Sequence, residues 1–296
     1  MTTEGTLPAA TRPGPVSLRV SDLERVIRFY EDVLGLEARA VGDDRAVLAA
    51  GETPLVVLRE EATARPRGDD ETGLFHTTLL VPSRAALGDA LERIERRWRL
   101  EGTADHVVSE ALYLSDPEGN GIEVYRDRPR EAWPVADDGT VGIGTEALDV
   151  EGVRSAGGGR DGIPDATTVG HVHLEVSSLA LAREFYVDTV GFGLKHRADG
   201  ALFVAAGGYH HHLGLNVWRR RSEPPQGRGL ERVEFVVPDA EGPAALRTRL
   251  EEAGHATSSA GDGGGFETTD PDGIRIRFRR TTPAEQSADF LEEIPF

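Results

Sequence analysis

The chain is predicted to be α+β, built from four βαβββ units in tandem, and three observations predict it. The segment VSDLERVIRFYEDVLGL over residues 20–36 returns as VSSLALAREFYVDTVGF over 176–192, an offset of 156. GLFHTTLLVPSRAAL from Gly73 and GLERVEFVVPDAEGP from Gly229 share that offset, and DPEGNGIEVY from Asp116 and DPDGIRIRFR from Asp270 share one of 154. Within each copy the apolar pattern then divides once more into strand, helix and strands.

Taken in order, an apolar strand over 17–20 leads into a helix whose Leu23, Val26, Ile27 and Tyr30 recur at helical spacing. Asp22 stands where a side-chain oxygen caps that helix, and Gly35 where a left-handed residue ends it. Strands over 45–49 and 55–58 complete unit one. Unit two follows with a strand over 75–81, a helix over 84–98, and strands over 111–114 and 122–125. The last two strands are joined by the turn Asp-Pro-Glu-Gly-Asn-Gly. Unit three spans about 169–219, with its strand over 174–176, Ser178 as helix cap and Gly191 as helix end. Unit four spans about 229–280. Two domains are therefore expected, 1–150 and 166–296, joined by a linker over 151–165 whose glycines at 157–162 are exposed. The acidic tail AEQSADFLEEIPF reads equally as a docked short helix or a mobile end.

Composition narrows the partners. Hydrophobic residues make up 39% and charged residues 28%, as in a soluble globular protein. No apolar run approaches the roughly 20 residues of a membrane span, and no basic-then-apolar leader opens the chain, so a cytoplasmic protein is expected. The net charge of −18 repels nucleic acid and anionic membranes. Lys195 is the only lysine. An acid-rich, lysine-poor surface suits concentrated salt, although an arginine-favouring codon bias explains the missing lysines equally well. With no cysteine, any metal must be held by His and carboxylates.

The βαβββ unit, the helix signature FYxDxxG and the closing DPxGNxIE-type strand together resemble the vicinal oxygen chelate superfamily, which includes glyoxalase I and the extradiol ring-cleaving dioxygenases. The resemblance covers nearly the whole chain outside the linker and termini. It implies two cupped mixed β-sheets with helices outside, each sheet built from two units. It also implies a metal bound by His, His and Glu, from the first strands of two units and the last strand of one. Carried over by position, the ligands are His171 in GHVHLEV, His76 in FHTTLLV and Glu123 in DPEGNGIEVY. His173, two residues on from His171, faces the same way as a support or a core residue. The matching positions in units one and four hold Pro15, Arg232 and Arg277, which cannot ligate a metal there. A complete site therefore requires unit two to pair with unit three, leaving one with four. Glyoxalase I and some relatives pair units across chains, so a homodimer would satisfy the same count.

Two features point the resemblance toward the dioxygenases. Tyr113, ten residues before Glu123, matches a tyrosine that hydrogen-bonds the catecholate, and His106 sits near a further active-site histidine. The run YHHHLGLNVW lies where the dioxygenases carry an acid–base histidine and glyoxalase I a fourth ligand. Alternation counted from Asn216 puts His210 and His212 on one face and His211 on the other. His212 is the expected acid–base residue and His210 the second choice. The implied cofactor is Fe(II), or Mn(II) on the same ligands, and the implied substrates are an aromatic diol and O2. A glyoxalase-type lyase or isomerase and a non-catalytic drug-binding protein are the alternatives. His196 and His255 carry no motif and are read as surface residues, and Tyr30 and Tyr186 as packing. Trp133, Trp218 and the loop 219–228 are candidates for shaping the pocket.

Overall fold

The computed structural model describes residues 5–238, 242–260 and 265–280. The acidic tail discussed above lies outside the described residues. After a two-residue strand, β1 (Arg12–Pro13), unit one comprises β2 (Val16–Val20), α1 (Leu23–Phe29), β3 (Glu37–Val41), β4 (Arg45–Ala50) and β5 (Thr53–Glu60). Unit two comprises β6 (Gly73–Leu80), α2 (Arg84–Arg97), β7 (Gly102–Asp105), β8 (Ser109–Ser115) and β9 (Gly121–Asp127). Between the halves lies α3 (Val150–Ala156). Unit three comprises β10 (Val172–Glu175), α4 (Leu179–Arg183), β11 (Gly193–Ala198), β12 (Ala201–Ala205) and β13 (Leu213–Asn216). Unit four comprises β14 (Gly229–Val237), α5 (Gly242–Glu252), β15 (Thr257–Ala260), β16 (Gly265–Thr269) and β17 (Arg275–Arg280).

The caps read from sequence are in place. The Asp22 side chain accepts from Arg25 N and that of Ser178 from Leu181 N, each satisfying an orphan donor of its helix. Each repeat helix continues as a π-helical turn, over Tyr30–Leu34 and Glu184–Thr189. Gly35 then turns the chain at φ +74°. The segment expected as a linker differs: Asp149 caps α3, and Val153 is fully buried as α3 packs on α2. Its glycine and acidic content hides a helix of about two turns with one apolar anchor.

Two curled mixed sheets result. In each unit the first and last strands run parallel, and the remaining pairs are antiparallel. One sheet runs β15-β16-β17-β14-β2-β5-β4-β3, with β1 on β14; the other runs β11-β12-β13-β10-β6-β9-β8-β7. Unit four thus joins unit one across β14–β2, and unit three joins unit two across β10–β6, both antiparallel. Each sheet takes one unit from each half of the sequence, the pairing that the ligand count requires. Alternation along β9 shows how the faces divide. Ile122 and Val124 enter the core with Leu87 and Leu91 of α2, while Glu123 and Tyr125 face the cup.

Candidate metal centre

The seam between units two and three carries the site. Register across β10–β6 sets His173 opposite His76, and across β8–β9 sets Tyr113 opposite Glu123. His171, just before β10, faces the cup with His173. His76 Nε2 lies 2.9 Å and His171 Nε2 3.3 Å from the same oxygen, Glu123 Oε2. All three residues are buried. His76 Nε2, despite that distance, makes no hydrogen bond, as expected of donor atoms aimed at a shared point rather than at each other. Burial pushes the His171 imidazole down to about 4, against the pull of Glu123, so it presents a neutral lone pair at neutral pH. Two imidazoles and a carboxylate without sulfur are a donor set that fits a divalent first-row metal ion.

A third imidazole approaches the same point, since the ligand atoms of His76, His171 and His173 lie within 4.8 Å of one another. Hydrogen bonding assigns His173 a different duty. Asp127 Oδ1 is an acceptor, so His210 Nε2, 2.9 Å away, carries its proton. His210 Nδ1 then accepts from His211 Nδ1 at 2.7 Å, and His211 Nε2 accepts from His173 Nε2 at 2.9 Å. His173 Nε2 is thereby occupied as a donor, while its ring stacks on His76 with centroids 4.4 Å apart. The close approach requires Gly214, where a Cβ would stand 2.4 Å from His173 Nε2. Burial, then the neighbouring imidazoles, keep His173 and His211 well below the ordinary histidine range, hence neutral.

The triplet 210–212 corrects the face assignment. Strand β13 begins only at Leu213, so alternation does not extend through the histidines, which occupy an irregular turn. His211 is the residue that faces the centre, its ring centroid 4.2 Å from that of His171. His212 turns away: its Nδ1 accepts from Ala206 N at 3.2 Å and its ring stacks on Tyr209. His210 is fully buried between Asp127 and Trp133. The Asp127 carboxylate also accepts from Tyr209 OH, which lies 2.8 Å from Tyr125 OH. Neither Asp127 nor His211 was singled out from sequence; the histidine run was the available signal, read one residue out of phase.

On the other flank, His106 Nδ1 donates to Gly144 O at 2.7 Å, which leaves Nε2 to accept from Tyr113 OH at 2.6 Å. The tyrosine ring lies 5.6 Å from that of His76. Burial, followed by the Glu123 charge, pushes the Tyr113 phenol well above its ordinary value. With its proton given to His106, Tyr113 presents an acceptor oxygen toward the cup. Trp218 packs on Phe75 at the rim, with centroids 5.4 Å apart. His196 and His255 are half-buried against Phe203 and Phe185, rather than on the surface.

The other sheet replaces these groups with ion pairs. Arg232 donates to Glu267 at 2.8 Å, Arg279 donates to the buried Glu234 at 2.5 Å, and Arg277 lies 3.8 Å from Glu234. Pro15 and Ser17 stand where the second cup has His171 and His173. Arg232 and Arg277, at the positions of His76 and Glu123, are permanently cationic and cannot ligate a metal there.

A single fold and site of this kind define a metal-binding member of a known class. The family model described as Glyoxalase/Bleomycin resistance protein/Dioxygenase superfamily matches residues 12–124 and 168–278. The chain belongs to that superfamily. It is 40% identical over 270 residues to a catechol-2,3-dioxygenase of Bacillus subtilis (strain 168), covering 88% of this chain and 94% of the relative. Its fold is similar to that of a solved protein from Bacillus subtilis subsp. subtilis str. 168, with TM-score 0.68 and 13% identity over 99% of this chain and 92% of the other. It is also similar to glyoxalase I from Zea mays, with TM-score 0.59 and 17% identity over 96% and 95% of the two chains.

Proposed function

We propose that the chain is an extradiol ring-cleaving dioxygenase that opens a catechol-type diol with O2, with Fe(II), or Mn(II), held by His76, His171 and Glu123. One observation carries the reading: two imidazoles and a carboxylate converge in a buried cup, with the neutral His211 ring 4.2 Å from that of His171. The catechol-2,3-dioxygenase relative supports the same chemistry. The metal would supply adjacent open positions for diol and dioxygen and the electron transfer between them.

The protein's own residues do the rest. His211 takes a diol proton at Nε2, exchanging the His173 N–H for the substrate hydroxyl, and returns it as the ring opens. Tyr113, fixed by His106, accepts from the other hydroxyl and orients the ring. Both oxygen atoms of O2 enter the product and the carbon–carbon bond beside the diol breaks, so no external reductant is needed. A glyoxalase-type reaction would want a fourth ligand from the histidine run. His212, the residue expected there, is turned away with its Nδ1 bound by Ala206 N, which favours the dioxygenase reading. The ligand set is complete within one chain, so a second copy is not required for it.

The test is anaerobic reconstitution with Fe(II), followed by oxygen uptake and visible absorbance on adding catechol. A coloured ring-opened product that disappears in His171→Ala is the expected result. Bound metal without oxygen consumption on any catechol would move the function to a lyase or isomerase.

A further inference from the structure

In a chain of net charge −18, one wall of the cup gathers guanidinium groups. A cavity of about 410 Å³ has His76 and Tyr113 among its lining residues and Phe75, Arg67, Arg219 and Arg221 along one side. The three arginines share one buried carboxylate. Glu175 accepts from Arg67 at 2.7 Å and from Arg221 at 3.1 Å, and lies 3.7 Å from Arg219. Arg67 is held further by the Glu71 and Leu74 carbonyls, and Arg221 by those of Gly68 and Glu71. Arg219 is the outermost of the three, with a side chain 57% exposed. Its guanidinium lies 5.1 Å from the Phe75 ring centroid, which is 5.2 Å from that of His76. It therefore stands about one aromatic ring beyond a candidate ligand. Two carboxylates also line the cavity, and both have partners. Glu118 accepts from Ser21 N and lies 3.5 Å from Arg228; Glu101 accepts from Arg99 and Ser115.

We infer that this mouth selects catechols bearing an anionic substituent, a carboxylate on the ring or on a short side chain, with Arg219 receiving the carboxylate. The inference rests on the reading of the centre as a catechol site and adds the substrate class. Three cations around one carboxylate leave a local positive field that draws anions in against the repulsion of the rest of the surface. A guanidinium over an aromatic face is also the side chain best shaped to grip a planar carboxylate.

The experiment compares kcat/KM for 3,4-dihydroxyphenylacetate, 3,4-dihydroxybenzoate and the neutral 4-methylcatechol on the iron-loaded enzyme, at low and high salt. At least one carboxylated substrate should exceed 4-methylcatechol by about tenfold or more, the range a charge-assisted hydrogen bond supplies. Salt should shrink that ratio, and Arg219→Gln should bring it toward one, whereas Arg28→Gln on the exposed face of α1, outside the cavity lining, should leave it alone. Anaerobic calorimetry of the same ligands gives the preference without turnover. Ring opening of all three substrates at a ratio near one, or a ratio unmoved by Arg219→Gln, overturns the inference while leaving the dioxygenase reading intact. Failure to open any of the three, neutral or anionic, would count against the dioxygenase reading instead.

Discussion

A neutral imidazole works as a base at the nitrogen that carries the lone pair, and the line Asp127–His210–His211–His173 fixes which nitrogen that is. The carboxylate at one end permits only acceptance, so each histidine in turn has its tautomer dictated. Two predictions follow at this scale. His211→Asn should lower kcat by about 10²–10⁴, the usual worth of a positioned proton-transfer group, while His212→Asn should stay within a few-fold. Steady-state kinetics decides between them, and the reverse order would restore the alternation-based assignment. Asp127→Asn offers His210 a donor or a weaker acceptor and should lower kcat at least about tenfold with KM little changed. Nitrogen-15 spectra of the metal-free protein should show the histidine tautomers redistributed, and an unchanged pattern would contradict the relay. Sequence spacing points to His76, His171 and Glu123 because the repeat supplies equivalent positions to compare, and the fold brings these three side chains together. It did not find His211, because alternation holds only inside a strand and β13 starts after the histidines.

At the scale of elements, the two sequence signatures meet. Tyr186 of the FYxDxxG helix donates to Asp270 Oδ2 at 2.9 Å in the DPxG turn of the following unit; Tyr30 is likewise buried and feels the Asp116 charge, but its hydroxyl makes no hydrogen bond. Each aspartate also accepts backbone N–H groups of its own turn, at Glu118 and Asn120 in one case and Asp272 and Ile274 in the other. In the second half helix and turn are thus fastened by a hydrogen bond, and in the first the same two residue types meet by burial alone; both tyrosines are fully buried. Burial raises the Asp270 carboxyl to about 7 and the Asp116 carboxyl to about 6. Folded pKa values above the unfolded value mean that the native state holds these protons more tightly. Their contribution to stability is therefore present below about pH 4 and is lost as pH rises to about 7. Asp270→Asn should flatten this decline by an amount on the order of a few kcal/mol between pH 4 and 8, read from denaturant unfolding. A slope identical to that of the unmutated protein would refute the assignment. Helix α3 was missed for an opposite reason: one buried valine in a glycine-rich stretch gives no period to detect.

For the whole molecule, the internal repeat accounts for the architecture, two sheets of one plan that each take one unit from each half. The sheets pair unit two with three and unit one with four, and among the described residues only the first pairing brings two histidines and a glutamate together. In the other, two of the ligand positions hold ion-paired arginines, Arg232 with Glu267 and Arg277 beside Glu234, and the third holds Pro15. That pairing was legible from the sequence because ligands are scarce: proline and arginine at three of six positions leave one way to complete a site. What was not legible is the local charge at the cup mouth, since Arg67, Arg219 and Arg221 come together on Glu175 only through the fold. The measurement that tests the central claim most directly is an anaerobic Fe(II) titration of the unmutated chain and of His171→Ala and Arg232→His. One iron per chain, lost in His171→Ala and unaltered in Arg232→His, is the predicted result. Two irons per chain, or one that persists without His171, would place the metal elsewhere and contradict the account.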